Sequence, residues 1–301
     1  MQNIQIKSAC DGLMLDVLII SPNTEVKGII QIAHGMAEHK NRYIPVMNFF
    51  AERGYVVVIH DHRGHGKSVK SKDDLGYFYE EKAEYVVEDL HNITKFIKDK
   101  YPNKKLTLIG HSMGSMIVRK YIKKYDDEID KLIVCGSPSK NSFVDLGLFF
   151  VNIMKIFKGE RYRSEFCQNL VLGKSSSKKE KNSWICSDEE VVNNYNNDEL
   201  CSYTFTLNGF SNLLHLMKDI YSKNGWECKN KSLPILFIAG AEDKIIINEQ
   251  KWVESQEFLR KLGYKNIDKI LYPGMKHEIL NEKNKDVVWK DIYKWIENME
   301  K

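Results

Sequence analysis

The chain has 301 residues, 43% hydrophobic and 29% charged, with a formal net charge of +4. That length supports one well-buried domain, or one domain carrying a large insertion. The charge is small and interspersed with acids, which excludes a nucleic-acid-binding stripe, and no uncharged apolar run reaches the roughly 18 residues of a membrane span.

In chain order, MQNIQIKSACDG lacks the basic segment and apolar run of a secretory signal. The six cysteines have no C-x-x-C spacing, so reduced structural thiols and a cytoplasmic address are expected. Residues 4–21, IQIKSACDGLMLDVLIIS, read as two strands turned at Asp11–Gly12. KGIIQIAHG is a strand, RYIPVMNFFAERG a helix ended by Gly54, and YVVVIHD a strand. A long helix is expected over 80–100, stopped by Pro102. The strand KLTLIG, the helix after Gly114 and the strand KLIVCGSP follow. Near-continuous apolar strands separated by amphipathic helices predict an α/β fold, a mostly parallel sheet covered on both faces.

That alternation breaks over 139–231, a helical and aromatic stretch with a polar loop at GKSSSKKEKNS. It resumes with LPILFIAGAED, a helix near 249–262, the strand IDKILYPG and a last helix from about residue 285. The expected organisation is a core of 1–138 and 232–301, with 139–231 as a helical cap. Ligands bind open α/β sheets at the carboxyl ends of the strands, so the cap is expected over that edge.

GHSMGS places Ser112 between Gly110 and Gly114, where an apolar strand gives way to a helical pattern. A strand, a sharp turn and a helix are what lift a serine hydroxyl above a sheet as a nucleophile. The hydroxyl needs a base, and the base an orienting acid. Asp243 directly follows an apolar strand and His277 follows the next one, giving the order Ser, Asp, His. Glu242, next to Asp243, is the substitute acid. The oxyanion of an acyl-transfer intermediate needs two backbone donors: Met113 N–H at a helix start, and Met36 N–H after the strand ending in His34–Gly35.

HGMAEHKNRY, DHRGHGKS, GHSMGS, GAED and HE together resemble the α/β-hydrolase family, in its monoglyceride lipase and lysophospholipase-like branch, also grouped with serine aminopeptidases. The resemblance covers essentially the whole chain. It implies an α/β-hydrolase fold with a helical cap, no cofactor, and hydrolysis of a single-chain lipid ester by Ser112, His277 and Asp243. By the match to H-G-x-x-E-H-x-x-R-Y, Glu38, His39 and Arg42 are expected at the polar end of the site, near a glycerol head group. YNNDEL resembles Y-x-x-D-P-L and places Tyr195 there too, although Glu199 stands where the pattern has proline.

The cap segment FVDLGLFFVNIMKIFKG is apolar on nearly every side. It is expected to wall an acyl tunnel, through Phe149, Phe150 and Met154, and to touch membranes or micelles. His60, His62 and His65 lie close together in HDHRGHG, but a Gly-rich turn does not aim three ligands at one point, so no metal is expected. Two rivals remain. An iminopeptidase needs a cap carboxylate for the substrate amine, and Glu160, Glu165, Glu189 and Glu190 offer one. A non-catalytic binding protein on this scaffold usually lacks a member of the triad.

Overall fold

The computed structural model describes residues 1–172 and 181–299. Most of the expected polar loop, 173–180, lies outside the described residues. Eight strands form one sheet: β1 (Gln2–Lys7), β2 (Met14–Ile20), β3 (Gly28–Ala33), β4 (Tyr55–His60), β5 (Leu106–His111), β6 (Lys131–Cys135), β7 (Ile235–Gly240) and β8 (Ile267–Tyr272). Their order is β1-β2-β4-β3-β5-β6-β7-β8. The β1–β2 and β2–β4 pairs are antiparallel and all others parallel. The turn at Asp11–Gly12 closes the β1–β2 hairpin, with the Asp11 carboxylate accepting from Leu13 N–H at 3.1 Å.

Side-chain alternation along the central strands feeds two cores. Ile29, Leu108 and Phe237 point to one face, under α2 (Tyr85–Lys100), α3 (Met113–Tyr125) and α8 (Glu249–Leu262). Ile30, Ile109 and Leu236 point to the other, under α1 (Ile44–Ala51) and α9 (Lys285–Asn298). Burial on both faces is why these strands read as unbroken apolar runs. Helix α2 starts five residues later than its expected residue 80. The Glu80 carboxylate instead accepts from Glu84 N–H at 2.8 Å and Val86 N–H at 3.1 Å, satisfying donors that a helix start leaves open.

Between β6 and β7 lie α4 (Val144–Lys158), α5 (Glu165–Leu172), α6 (Glu189–Asn197) and α7 (Leu207–Asp219). Helix α4 packs on α7 closely enough that a Cβ on Gly147 would stand 3.3 Å from Leu214 Cδ1. Among the described residues, no helix is long and apolar enough to cross a membrane.

Candidate active site

Strand β5 sits in the middle of the sheet and delivers Ser112 at its carboxyl end. Ser112 adopts φ 53° and ψ −117°, a left-handed conformation rare for a residue with a Cβ. Such a conformation costs of order 1–3 kcal/mol and persists only where its surroundings enforce it. The two flanking glycines allow the turn. A Cβ on Gly114 would stand 2.0 Å from the Ala33 carbonyl oxygen, and one on Gly110 would stand 2.4 Å from the Gly114 carbonyl. The helix can cross the strand only because both side chains are absent.

The Ser112 hydroxyl lies 2.8 Å from His277 Nε2, and His277 Nδ1 lies 2.8 Å from Asp243 Oδ2. A carboxylate only accepts, so Nδ1 carries the ring proton and Nε2 is left to accept from the serine. Asp243 follows β7 and is buried, with its other oxygen accepting from Ile245 N–H at 2.8 Å. Its neighbour Glu242 is exposed and takes no part in this chain. Thus Ser112, His277 and Asp243, spread over 166 sequence positions, form one hydrogen-bonded chain at one edge of the sheet.

Met113 opens α3, so its N–H is among the donors a helix leaves unused. Met36 follows Gly35 after β3, and a Cβ on Gly35 would stand 3.3 Å from Ser112 Cβ. Both methionines line a cavity of about 440 Å³ that also holds Ser112 and His277. Met116, Val171, Leu213, Met217 and Ile247 supply apolar lining, and Glu38, Tyr195, Thr204 and Glu278 supply polar lining, as do Asn141, Glu165, Gln168, Lys181, Asn182 and Lys244.

Behind the loop after β3 lies a buried polar network. Glu38 Oε1 accepts from Gly35 N–H at 2.6 Å and from the Tyr43 hydroxyl at 2.9 Å. Arg42 Nη1 donates to Glu38 Oε2 at 2.6 Å, and Nη1 and Nη2 donate to the two oxygens of Glu278 at 2.8 and 2.6 Å. His111 Nδ1 lies 3.1 Å from the Tyr43 hydroxyl and Nε2 lies 3.2 Å from the His277 carbonyl. Burial alone would raise the Glu38 carboxyl, but Arg42 and His111 hold it well below the usual carboxylate range. Burial alone would lower the His111 imidazole, yet the Glu38 carboxylate, 3.5 Å from Nδ1, and that of Glu278 raise it.

Several expected site residues are placed differently. Glu38 and Tyr195 do line the cavity, but His39 and Arg42 do not. The Arg42 guanidinium is turned to Glu38 and Glu278 and covered by the Tyr195 ring, 4.8 Å from its centroid. His39 Nε2 is bonded to Asp198 at 2.8 Å, tying this loop to the segment after α6. Phe149, Phe150 and Met154 are not in the cavity wall either. Gly147, Leu148 and Val151 take the inward side of α4, so Phe149 and Phe150 face solvent at 58% and 41% exposure. Met154 packs instead against the core and Cys167.

The sequence offered no signal for Trp184, whose ring stands 5.2 Å from that of His277, with Lys244 Nζ 4.3 Å from the Trp184 ring centroid. Tyr43, His111 and Glu278 lie inside or beside the motifs read above, yet nothing local marks them as partners of one another. Among the described residues, three potential metal-ligand atoms come within 4.8 Å only at His39, Asp198 and Cys201. There the His39–Asp198 pair is already hydrogen-bonded, and burial pushes the Cys201 thiol up, which keeps it protonated. Of the four carboxylates between β6 and β7 expected to offer an amine site, Glu165 lines the cavity, Glu160 accepts from the Tyr77 hydroxyl at 2.5 Å, and Glu189 and Glu190 open α6.

A family model described as "Serine aminopeptidase, S33" (Hydrolase_4) matches residues 24–284. The chain belongs to that family. It is 25% identical over 285 residues to a monoacylglycerol lipase of Mycolicibacterium smegmatis, covering 95% of this chain and 93% of the relative. It is 27% identical over 148 residues to a probable lysophospholipase L2 of Haemophilus influenzae, covering 48% of this chain and 46% of the relative. Among solved structures, it superposes on a thermostable carboxyl esterase from Bacillus coagulans in complex with glycerol. That match has a TM-score of 0.89 and 27% identity, and covers 99% of this chain and 98% of the other. The chain is a serine hydrolase of the α/β-hydrolase fold, in the branch that holds monoacylglycerol lipases and lysophospholipases.

Proposed function

We propose that this hydrolase cleaves carboxylic esters of single-chain lipids, a monoacylglycerol or a lysophospholipid, through an acyl-enzyme on Ser112. The observation that carries the reading is the Ser112–His277–Asp243 chain opening into a cavity of about 440 Å³ whose lining includes Met116, Val171, Leu213, Met217 and Ile247. Ser112 Oγ attacks the acyl carbonyl as its proton passes to His277 Nε2, and Asp243 orients and stabilises the imidazolium. The Met36 and Met113 N–H groups hold the oxyanion. Collapse breaks the ester C–O bond, and the leaving alkoxide takes the proton from His277. Water then attacks the acyl-enzyme, giving its proton to His277, and the fatty acid leaves as Ser112 is reprotonated.

The stretch 139–231 acts as the cap in this reading. Its Phe143 and, on α4, Leu146, Phe149, Phe150, Ile153, Ile156 and Phe157 are exposed, and exposed apolar surface on this scale fits a lipid or micelle interface. The acyl chain lies along Val171, Leu213, Met217 and Ile247, and the head group lies toward Glu38 and Tyr195. One observation favours the peptidase reading: the Glu165 carboxylate lines the cavity, where a substrate amine would find it.

The two readings separate on a series of p-nitrophenyl esters against amino-acid anilides. Each CH2 buried contributes about 0.8 kcal/mol, so going from four to eight carbons should raise kcat/KM by about two orders of magnitude, levelling where the cavity ends. A flat ester series with faster turnover of anilides would move the assignment to a peptidase.

A further inference from the structure

We propose that Arg42 is a positioning residue: its guanidinium holds the loop bearing Met36 and the loop bearing His277 in fixed register. The inference rests on the reading above, in which Met36 N–H and His277 act on the reacting carbonyl. Each loop sends one buried carboxylate to the same cation. Glu38, from the loop after β3, takes one Nη1 bond, and Glu278, the residue after His277, takes two bonds from Nη1 and Nη2. Arg42 and Glu278 lie 236 positions apart in the chain.

Each carboxylate is also wired into its own loop. Glu38 holds the Gly35 N–H immediately before Met36, in a turn where Ala37 is at φ 52°. A non-glycine residue adopts that conformation only when it is held there. On the other side, Glu278 N–H donates to the Ile185 carbonyl at 2.7 Å, Glu278 Oε2 accepts from Asn281 Nδ2 at 3.1 Å, and the His277 carbonyl accepts from His111. A displacement of Arg42 therefore reaches an oxyanion donor and the base together. Only a planar guanidinium can donate in parallel to Glu278 and still reach Glu38, so lysine cannot replace it. Arg42 stays out of the cavity wall, so it acts through these loops and not on substrate.

The test is the rate at which a fluorophosphonate probe labels the full-length protein. The probe needs the nucleophile, the base and the oxyanion donors, but no lipid recognition. Labelling rate per folded molecule is compared for wild type, Arg42→Met, Arg42→Lys and Glu278→Gln, beside kcat and KM for p-nitrophenyl butyrate and thermal melts. A loop shifted by about 1 Å costs on the order of 100-fold, so Arg42→Met should slow labelling and kcat by that much with KM nearly unchanged. Arg42→Lys should recover only part of the loss, and Glu278→Gln should lose about 10-fold. A bridge that serves stability alone would lower the melting temperature and leave the rate per folded molecule unchanged. Glu278→Gln keeps the side chain's shape, so a wild-type labelling rate in that variant overturns the proposal even where Arg42→Met fails to fold. A wild-type protein that the probe does not label would instead sink the hydrolytic reading itself.

Discussion

Lowering the pH from 7 to 5 should cost this protein about 6 kcal/mol of stability, because a cluster of buried histidines stays neutral in the fold. His34, His60, His62 and His65 are all fully buried around the turn after β4, their rings packed against one another. His60 and His62 have no hydrogen-bond partner for either side-chain nitrogen among the described residues. Burial pushes His34 down to about 4 and His60 and His65 down to about 3, and lowers His62 well below its ordinary value. Their folded values lie below the unfolded value near 6.5, so the unfolded chain takes up protons first as the pH falls. Stability is therefore complete above about pH 7 and declines through the window from 6.5 toward 3.

At pH 5 each of His34, His60 and His65 contributes a loss of about 1.5 pH units times 1.36 kcal/mol, or about 2 kcal/mol. Three of them sum to about 6 kcal/mol, against a total stability of roughly 5–15 kcal/mol. His111 works in the opposite direction, since its raised value makes protonation favour the fold. Glu38, held low, keeps its contribution at pH 7 and loses it only as the pH falls through its unfolded value near 4.5 and below. The assay is urea unfolding followed by circular dichroism at pH 7, 6 and 5, on wild type and His60→Phe. The variant removes one titrating ring, so its loss between pH 7 and 5 should be smaller by about 2 kcal/mol. Stability that stays flat from pH 7 to 5 would mean that these rings titrate alike in the folded and unfolded chain.

Ser112→Ala should abolish fluorophosphonate labelling and lower kcat by roughly 10⁶, the scale of a lost triad nucleophile. Asp243→Asn should keep its melting temperature and lose on the order of 10⁴ in kcat through the wrong imidazole tautomer, while Glu242→Gln, exposed to solvent, should behave as wild type. Gly114→Ala should fail to accumulate as folded protein, because its Cβ would lie 2.0 Å from the Ala33 carbonyl oxygen; a variant with normal melting behaviour would refute that crossing geometry. Phe149→Ser with Phe157→Ser should leave hydrolysis of a soluble short ester intact and weaken binding to lipid vesicles, read by co-sedimentation. Equal vesicle binding would remove α4 as the contact surface.

Whatever followed from local pattern was legible in the sequence. The strands of the sheet are apolar runs because both faces are covered, and helices α8 and α9 begin at the expected positions. The Asp, His and Ser of the candidate site could be picked out because each follows a strand, and a parallel sheet brings all such ends to one edge. The glycines around Ser112 could be read for the same reason, since the turn they permit is made within five residues. The rest depended on contacts between distant segments. Helix α4 is apolar nearly all round, so periodicity could not say which side packs; the close approach of Gly147 to α7 decided it and sent Phe149 and Phe150 outward. In the motif HGMAEHKNRY, Arg42 and Glu38 were visible, but their carboxylate partner Glu278 comes from 236 positions away. Burying two carboxylates with one guanidinium is tolerable only where their hydrogen bonds are well made, and those bonds exist only once the loops after β3 and β8 meet.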